Sequence, residues 1–246
     1  MDKTYVQSYR VHTYESDGDG RARAAALLNY LQDAAGGHAG SLGYSVPDLL
    51  KSGRTWVLSR NHVRILRYPR QGDDVRITTW PSGSRGLFAL RDFEASDGRG
   101  PVLVGTTSWM IIEVATRRPV PVADLLPANY GLDKRALDDN FPSIPPLGGA
   151  ARETSFRATL RDIDWNGHVN NAVYVSWALE GVPPEILDRR RLAEVEVSYR
   201  AEAFCGDEVL SRVGPDEGTG PESAFLHQIV RSADGVELAR LRTRWT

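Results

Sequence analysis

The sequence holds a single cysteine, Cys205, which excludes an intramolecular disulfide and permits a reducing compartment. Lysine is nearly missing: it occurs only at Lys3, Lys51 and Lys134, so the cations are almost all arginine. Charge of neither sign prevails. The formal net charge is −2, and no basic field is present to draw in nucleic acid. No run reaches the roughly 18 apolar residues that a membrane-spanning helix needs. The opening Met1-Asp2-Lys3-Thr4-Tyr5 lacks the apolar stretch of a signal peptide. A cytoplasmic protein with no membrane span is therefore expected. No Gly-Lys-Ser/Thr phosphate loop and no Cys/His cluster with zinc spacing occurs. Asp17-Gly18-Asp19-Gly20 hints at a calcium loop, but Arg21 and Leu28 stand where such a loop needs oxygen ligands. No cofactor and no metal are expected.

What is there is the balance of an ordinary globular protein, 41% hydrophobic and 25% charged. The 246 residues suit one large domain or two smaller ones. An internal repeat favours two. Each half opens on an extended segment, Tyr9-Arg10-Val11-His12 and then Ser155 to Leu160. Each continues through an Asp/Gly-rich loop, Asp17–Gly20 and then Asp162–Gly167. A helical stripe follows: Ala24, Leu27, Leu28, Leu31, Ala34 and Ala35 in the first half, Ala172, Val175, Ser176 and Leu179 in the second. The second helix should stop at Gly181 and Pro183-Pro184.

Four β-type runs come after each helix. They are expected over about 55–68, 74–80, 87–95 and 102–114, and again over about 192–201, 207–214, 223–232 and 236–245. Gly72-Asp73 and Gly206-Asp207 are matching turns, as are Ser96-Asp97-Gly98 and Ser232-Ala233-Asp234-Gly235. The Pro/Gly-rich stretch 115–153 reads as a linker between domains 1–114 and 154–246. The fold class expected is α+β. Each half is a helix against an antiparallel sheet, and the duplicated halves form an internal pseudo-dimer.

The densest chemistry lies in Asp162-Ile163-Asp164-Trp165-Asn166-Gly167-His168-Val169-Asn170-Asn171. Capping of the next helix accounts for one or two of these residues. A histidine alternating with Asn and Asp is not explained that way. In an extended loop Asp164, Asn166 and His168 would share one side and converge on a pocket. Aligned by the two loops, the first half has Asp19, Arg21 and Arg23 at those places. A site kept in one copy and lost in the other reads as functional.

That segment, with Tyr174, Trp177, Leu179, Glu180 and Pro183 after it, resembles the acyl-acyl carrier protein thioesterases, a family of two fused hot-dog folds. Tyr199-Arg200-Ala201-Glu202-Ala203 resembles the family's next motif. In the first half Thr55 to Arg60, Arg67-Tyr68-Pro69, Gly72-Asp73, Thr79-Trp80, Ser108-Trp109-Met110 and Thr116-Arg117-Arg118 resemble it too. The resemblance implies two hot-dog domains, the first binding the acyl chain and the second catalytic. It implies hydrolysis of fatty acyl-acyl carrier protein in fatty acid synthesis, with roles for Asp164, Asn166, His168 and Glu202. The partners implied are the carrier protein and its acyl thioester. Alternatives are an acyl-coenzyme A thioesterase and a non-catalytic acyl-binding protein.

The family often has cysteine after the glutamate, where this sequence has Ala203. A thiol nucleophile is therefore not expected, and Cys205 reads as a small packing residue. Either Glu202 or His168 is expected to activate water, Asn166 to orient it or polarise the carbonyl, and Asp164 to hold the loop. A helix starting near Val169 would offer N–H groups to the oxyanion. An attack by Asp164 itself is the competing route. His38 reads as an ordinary helix-end or surface histidine, and Trp56, Trp80 and Trp109 carry no assignment. Arg117-Arg118 and Arg189-Arg190-Arg191 are candidates for docking an acidic carrier. A monomer or a homodimer is expected.

Overall fold

The computed structural model describes residues 3–127, 129–217 and 224–246. Met1, Asp2 and Ser223, on which expected segments begin, lie outside the described residues. The chain divides into two compact units, Met1–Asn140 and Phe141–Thr246.

In the first unit, β1 (Tyr5–Arg10) leads through a single 3-10 turn (Thr13–Glu15) to α1 (Ala24–Ser41). Apolar residues recur along α1 at helical spacing, and Leu27, Leu31, Ala34 and Ala35 are buried. The helix ends at Leu42, ahead of Gly43 at φ 79°. A short α2 (Val46–Leu50), not read from the sequence, starts on Ser45, whose hydroxyl accepts the Asp48 N–H. Then come β2 (Arg54–Ile65), β3 (Asp74–Arg85), β4 (Phe88–Asp97), β5 (Gly100–Glu113) and the short β6 (Pro119–Val120). The strand order is β1-β3-β4-β5-β2, every pair antiparallel, with β6 on β5.

The second unit repeats this plan. β7 (Arg152–Arg157) leads through a 3-10 turn (Leu160–Asp162) to α3 (Asn171–Glu180). After α4 (Pro184–Arg189) come β8 (Leu192–Tyr199), β9 (Glu208–Pro215), β10 (Ala224–Arg231) and β11 (Glu237–Trp245). The order is β7-β9-β10-β11-β8, again antiparallel. Each unit is thus a helix laid on an antiparallel sheet, the hot-dog arrangement in α+β form. Small details repeat as well. Trp109 Nε1 donates to Thr107 Oγ1 at 2.8 Å, and Trp245 Nε1 donates to Thr243 Oγ1 at 3.1 Å.

Alternation along the first unit's strands puts Trp56, Ala89, Arg91, Thr107 and Trp109 on one face. Contact between Arg91 and His38 of α1 marks it as the helix face. Trp80 and Asp92 point the other way. Glycine matters where α1 meets β1: a Cβ at Gly37 would lie 2.8 Å from the Tyr5 hydroxyl.

The unit boundary falls inside the stretch expected as a linker, and both sides of that stretch are packed. Val122 and Leu126 join a buried cluster with Ala89. Trp80 Nε1 donates to the Lys134 carbonyl at 2.8 Å. The fully buried Asp92 accepts from Arg135 Nε at 3.1 Å and from the Ala136 N–H at 3.0 Å. His62 Nδ1 meets Asp139 Oδ2 at 2.8 Å. In the second unit, Ile144 is buried and its carbonyl accepts from Arg240.

Candidate active site

The segment around Asp164 is not extended. Ile163 and Val169 form an antiparallel bridge, and the five residues between them make a tight turn. The Asp164 N–H donates to the His168 carbonyl at 2.8 Å, and the Gly167 N–H donates to the Asp164 carbonyl at 3.0 Å. Gly167 sits at φ 82°, a left-handed conformation that glycine adopts at no steric cost. Asp164 Oδ1 accepts the Asn166 backbone N–H at 2.8 Å, and Oδ2 accepts from Asn166 Nδ2 at 3.3 Å. Asp164 therefore holds the turn, and the expected alternation of three side chains on one side of an extended loop is replaced by a folded one.

The first unit contains the same turn. Ser16 bridges Ala22, the Gly20 N–H donates to the Asp17 carbonyl, and Gly20 sits at φ 72°. Asp17 Oδ1 accepts from the Asp19 and Arg21 N–H groups, each at 2.9 Å. The equivalents of Asp164, Asn166 and His168 are thus Asp17, Asp19 and Arg21, a register two residues away from the one the sequence suggested. The aspartate is present in both copies. What differs is the pair after it.

His168 and Glu202 come together. Nε2 of His168 lies 3.7 Å from Oε2 of Glu202, with side chains 32% and 29% exposed, so solvent reaches the pair. The Val169 N–H donates to the Ala203 carbonyl at 2.9 Å, which stitches the histidine's strand to the glutamate's loop. The matching bond in the first unit runs from Ala22 to Pro69, so Tyr68 stands where Glu202 does. The Phe204 ring packs edge-on against His168 at 5.2 Å. Arg231 Nη1 donates to the Glu202 carbonyl at 3.2 Å while pairing with Asp207 and Asp234. Tyr174 Oη accepts the Ala203 N–H at 2.9 Å. Burial, and then the nearby Glu202 charge, pushes the Tyr174 phenol up to about 12, so it stays protonated.

Sequence reasoning missed Arg231 altogether. Its signal is faint, an arginine closing a strand before an Asp-Gly turn. Tyr174 belongs to the family-like motif, which by itself gives it no role.

α3 begins at Asn171 rather than near Val169, because Asn170 is its cap: its Oδ1 accepts the Ala172 N–H at 2.9 Å, and its carbonyl accepts from Val173. Part of the expected oxyanion donor set is spent on that cap. Cys205 is exposed rather than packed. His38 lies in the last turn of α1, the helix-end place expected for it, but it is buried, 1% exposed, rather than on the surface. Trp80 is fully buried behind the first sheet, whereas Trp56 and Trp109 are partly exposed on its helix face. Arg117, Arg118 and Arg189 are exposed, and Arg191 exchanges backbone hydrogen bonds with Thr246. Among the described residues no helix is long and apolar enough to cross a membrane.

Two family models match the chain: the acyl-ACP thioesterase N-terminal domain over residues 2–130 and the C-terminal domain over 149–246. A chloroplastic acyl-[acyl-carrier-protein] hydrolase of Cuphea viscosissima is 32% identical over 263 residues, covering 98% of this chain and 62% of that protein. A chloroplastic oleoyl-acyl carrier protein thioesterase of Arabidopsis thaliana is 29% identical, covering 98% of this chain and 76% of that protein. The chain spans about three-fifths of the length of several curated relatives it matches. Among solved structures, an acyl-ACP thioesterase from Bacteroides thetaiotaomicron superposes with a TM-score of 0.87 at 25% identity, covering 99% of this chain and 98% of that one. A 12:0-ACP thioesterase from Umbellularia californica also scores 0.87 at 25% identity, covering 100% and 98%.

Proposed function

Because the chain belongs to the acyl-ACP thioesterase family, we propose that it hydrolyses fatty acyl thioesters of acyl carrier protein, releasing a free fatty acid and the carrier thiol. The second unit carries the chemistry and the first receives the acyl chain. The observation that supports this best is the His168–Glu202 pair. A separation of 3.7 Å is too long for a direct hydrogen bond, and both side chains stay open to solvent, so a water can reach either of them.

In this reading Glu202, assisted by His168, takes a proton from that water as its oxygen attacks the thioester carbonyl. The oxyanion receives a hydrogen bond from the Asn166 amide, whose other N–H is held by Asp164. The C–S bond then breaks, and the departing thiolate takes the proton back. Asp164 is the positioning residue. Both its oxygens are engaged by Asn166, and Asp17 does the same work in a unit without the histidine. That equivalence favours water over Asp164 as the attacking group.

The exposed Arg117-Arg118 and Arg189 are the proposed contacts for an acidic carrier. A cytoplasmic place of action belongs to the same proposal, although the plant relatives are named chloroplastic.

Single-turnover hydrolysis in heavy-oxygen water tests the mechanism. The label is expected in the fatty acid. Label found in the protein would establish an acyl-enzyme anhydride and overturn it. Glu202→Gln is expected to lower kcat by about a hundredfold or more. Faster turnover of coenzyme A than carrier-protein thioesters would overturn the assignment of substrate.

A further inference from the structure

Beneath α1, on the helix face of the first sheet, lies a buried cation without a counter-charge. Arg91 of β4 is 6% exposed. Its Nη1 donates to His38 Nδ1 at 2.9 Å and to Thr79 Oγ1 at 3.2 Å. The Tyr130 phenol is the third neutral group beside it. All three are neutral acceptors. The next residue, Asp92, points to the opposite face and serves Arg135. Among the described residues no carboxylate pairs with Arg91. Removing a guanidinium from water is costly, and neutral acceptors recover only part of that cost.

The surroundings suggest what is meant to complete it. Tyr130 is only partly buried and meets Tyr44 edge-on at 5.6 Å. Trp56 and Trp109, on the same sheet face, are also partly exposed and meet edge-on at 6.5 Å. Partly exposed aromatic surface therefore leads towards a cation screened by one phenol. The guanidinium fork matches a carboxylate in two-point geometry, and the Tyr130 hydroxyl is the partner that can yield its place.

We propose that Arg91, held by His38 and screened by the Tyr130 hydroxyl until a ligand displaces it, forms a carboxylate-binding subsite in the first unit, taking the acid group of an amphiphile whose tail lies against the aromatic surface. This rests on the reading of that unit as the acyl chamber. Two ligands share the chemistry: the free fatty acid product, and an acyl thioester whose far end carries a carboxylate.

Binding to the full chain is measured by calorimetry with decanoate and, as its uncharged match, decanol. Decanoate is expected to bind at least about tenfold more tightly. Arg91→Met should abolish that difference. Equal binding of the two ligands, or a difference that survives in Arg91→Met, overturns the proposal. Should Arg91→Met fail to fold, Tyr130→Phe decides: losing the competing hydroxyl should tighten decanoate several-fold and leave decanol alone, and unchanged decanoate affinity is the contrary result. Comparing KM for a carboxylate-ended and a methyl-ended acyl thioester of equal length then separates the two sources. A lower KM for the first, lost in Arg91→Met, assigns the subsite to substrate. Equal values with the decanoate result intact assign it to product. Because binding is read without turnover, failure of the thioesterase reading would leave this measurement standing.

Discussion

Asp164 and Asp17 show how one residue type serves two ends. Within a five-residue turn Asp17 accepts two backbone N–H groups and Asp164 accepts one together with the Asn166 amide, and each turn closes on a glycine with positive φ. Losing those bonds should cost roughly 1 kcal/mol per turn. Asp17→Ala and Asp164→Ala are therefore expected to lower stability to denaturant by similar amounts. Only Asp164→Ala should also lose hydrolysis, since only its turn positions Asn166 and His168. If Asp17→Ala leaves the denaturation midpoint unchanged, the equivalence is wrong. The sequence displayed these residues but concealed their register. Asp17 and Asp19 are both in the loop, and only the bridge Ser16–Ala22 tells which one closes it. Glu202 was legible only through family resemblance. A lone glutamate after a strand has no periodic signature, and its approach to His168 is made by the Val169–Ala203 bond.

The long strands and the two long helices were legible because their periodicities are clean, whereas α2, α4 and β6 are too short to show one. α1 carries its stripe over many turns, and α3 ends where Gly181 and the prolines stop it. Their polar exceptions were not. His227 of β10 lies fully buried under α3, with Nε2 against Thr243 Oγ1 at 2.8 Å. Matching Thr107 with Thr243 puts Phe93 at its place in the first unit. Burial holds the His227 pKa down from 6.5 to about 3, against a smaller opposing effect of the Ala178 carbonyl. The unfolded chain therefore binds a proton between those values that the folded chain refuses. The ring's neutrality supports the fold fully above the unfolded value and progressively less as pH falls towards 3. Wild-type stability should fall below pH 6.5 by up to about 1.4 kcal/mol per pH unit more than that of His227→Phe. Parallel pH profiles in urea denaturation would count against this.

For the whole molecule, duplication is the organising fact. The strand orders β1-β3-β4-β5-β2 and β7-β9-β10-β11-β8 are the same plan, and the turn residues Gly72-Asp73 and Gly206-Asp207 sit at matching corners. The units then specialise. The second keeps the His168–Glu202 pair. The first adds β6 and a segment strapped to the far face of its sheet through Asp92. Asp92→Ala leaves Arg135 and the Ala136 N–H without their buried partner, and should cost the first unit about 3 kcal/mol. Residues 130–140 should then become sensitive to limited proteolysis. Resistance equal to wild type would mean that the strap is held by other contacts.

The sequence by itself determined the fold class and the duplication, and it pointed to the second half for the proposed reactive groups. Those follow from local periodicity, from turn chemistry and from a motif whose spacing is unusual enough to identify a family. The tertiary structure alone decided that Asp164 holds a turn, that Asn170 rather than a free helix end receives α3's first N–H groups, and that His38 and Arg91 are buried together. Each of these depends on which distant backbone or side chain comes within hydrogen-bond reach. Strand pairing sets that distance, and no pattern along one segment encodes it.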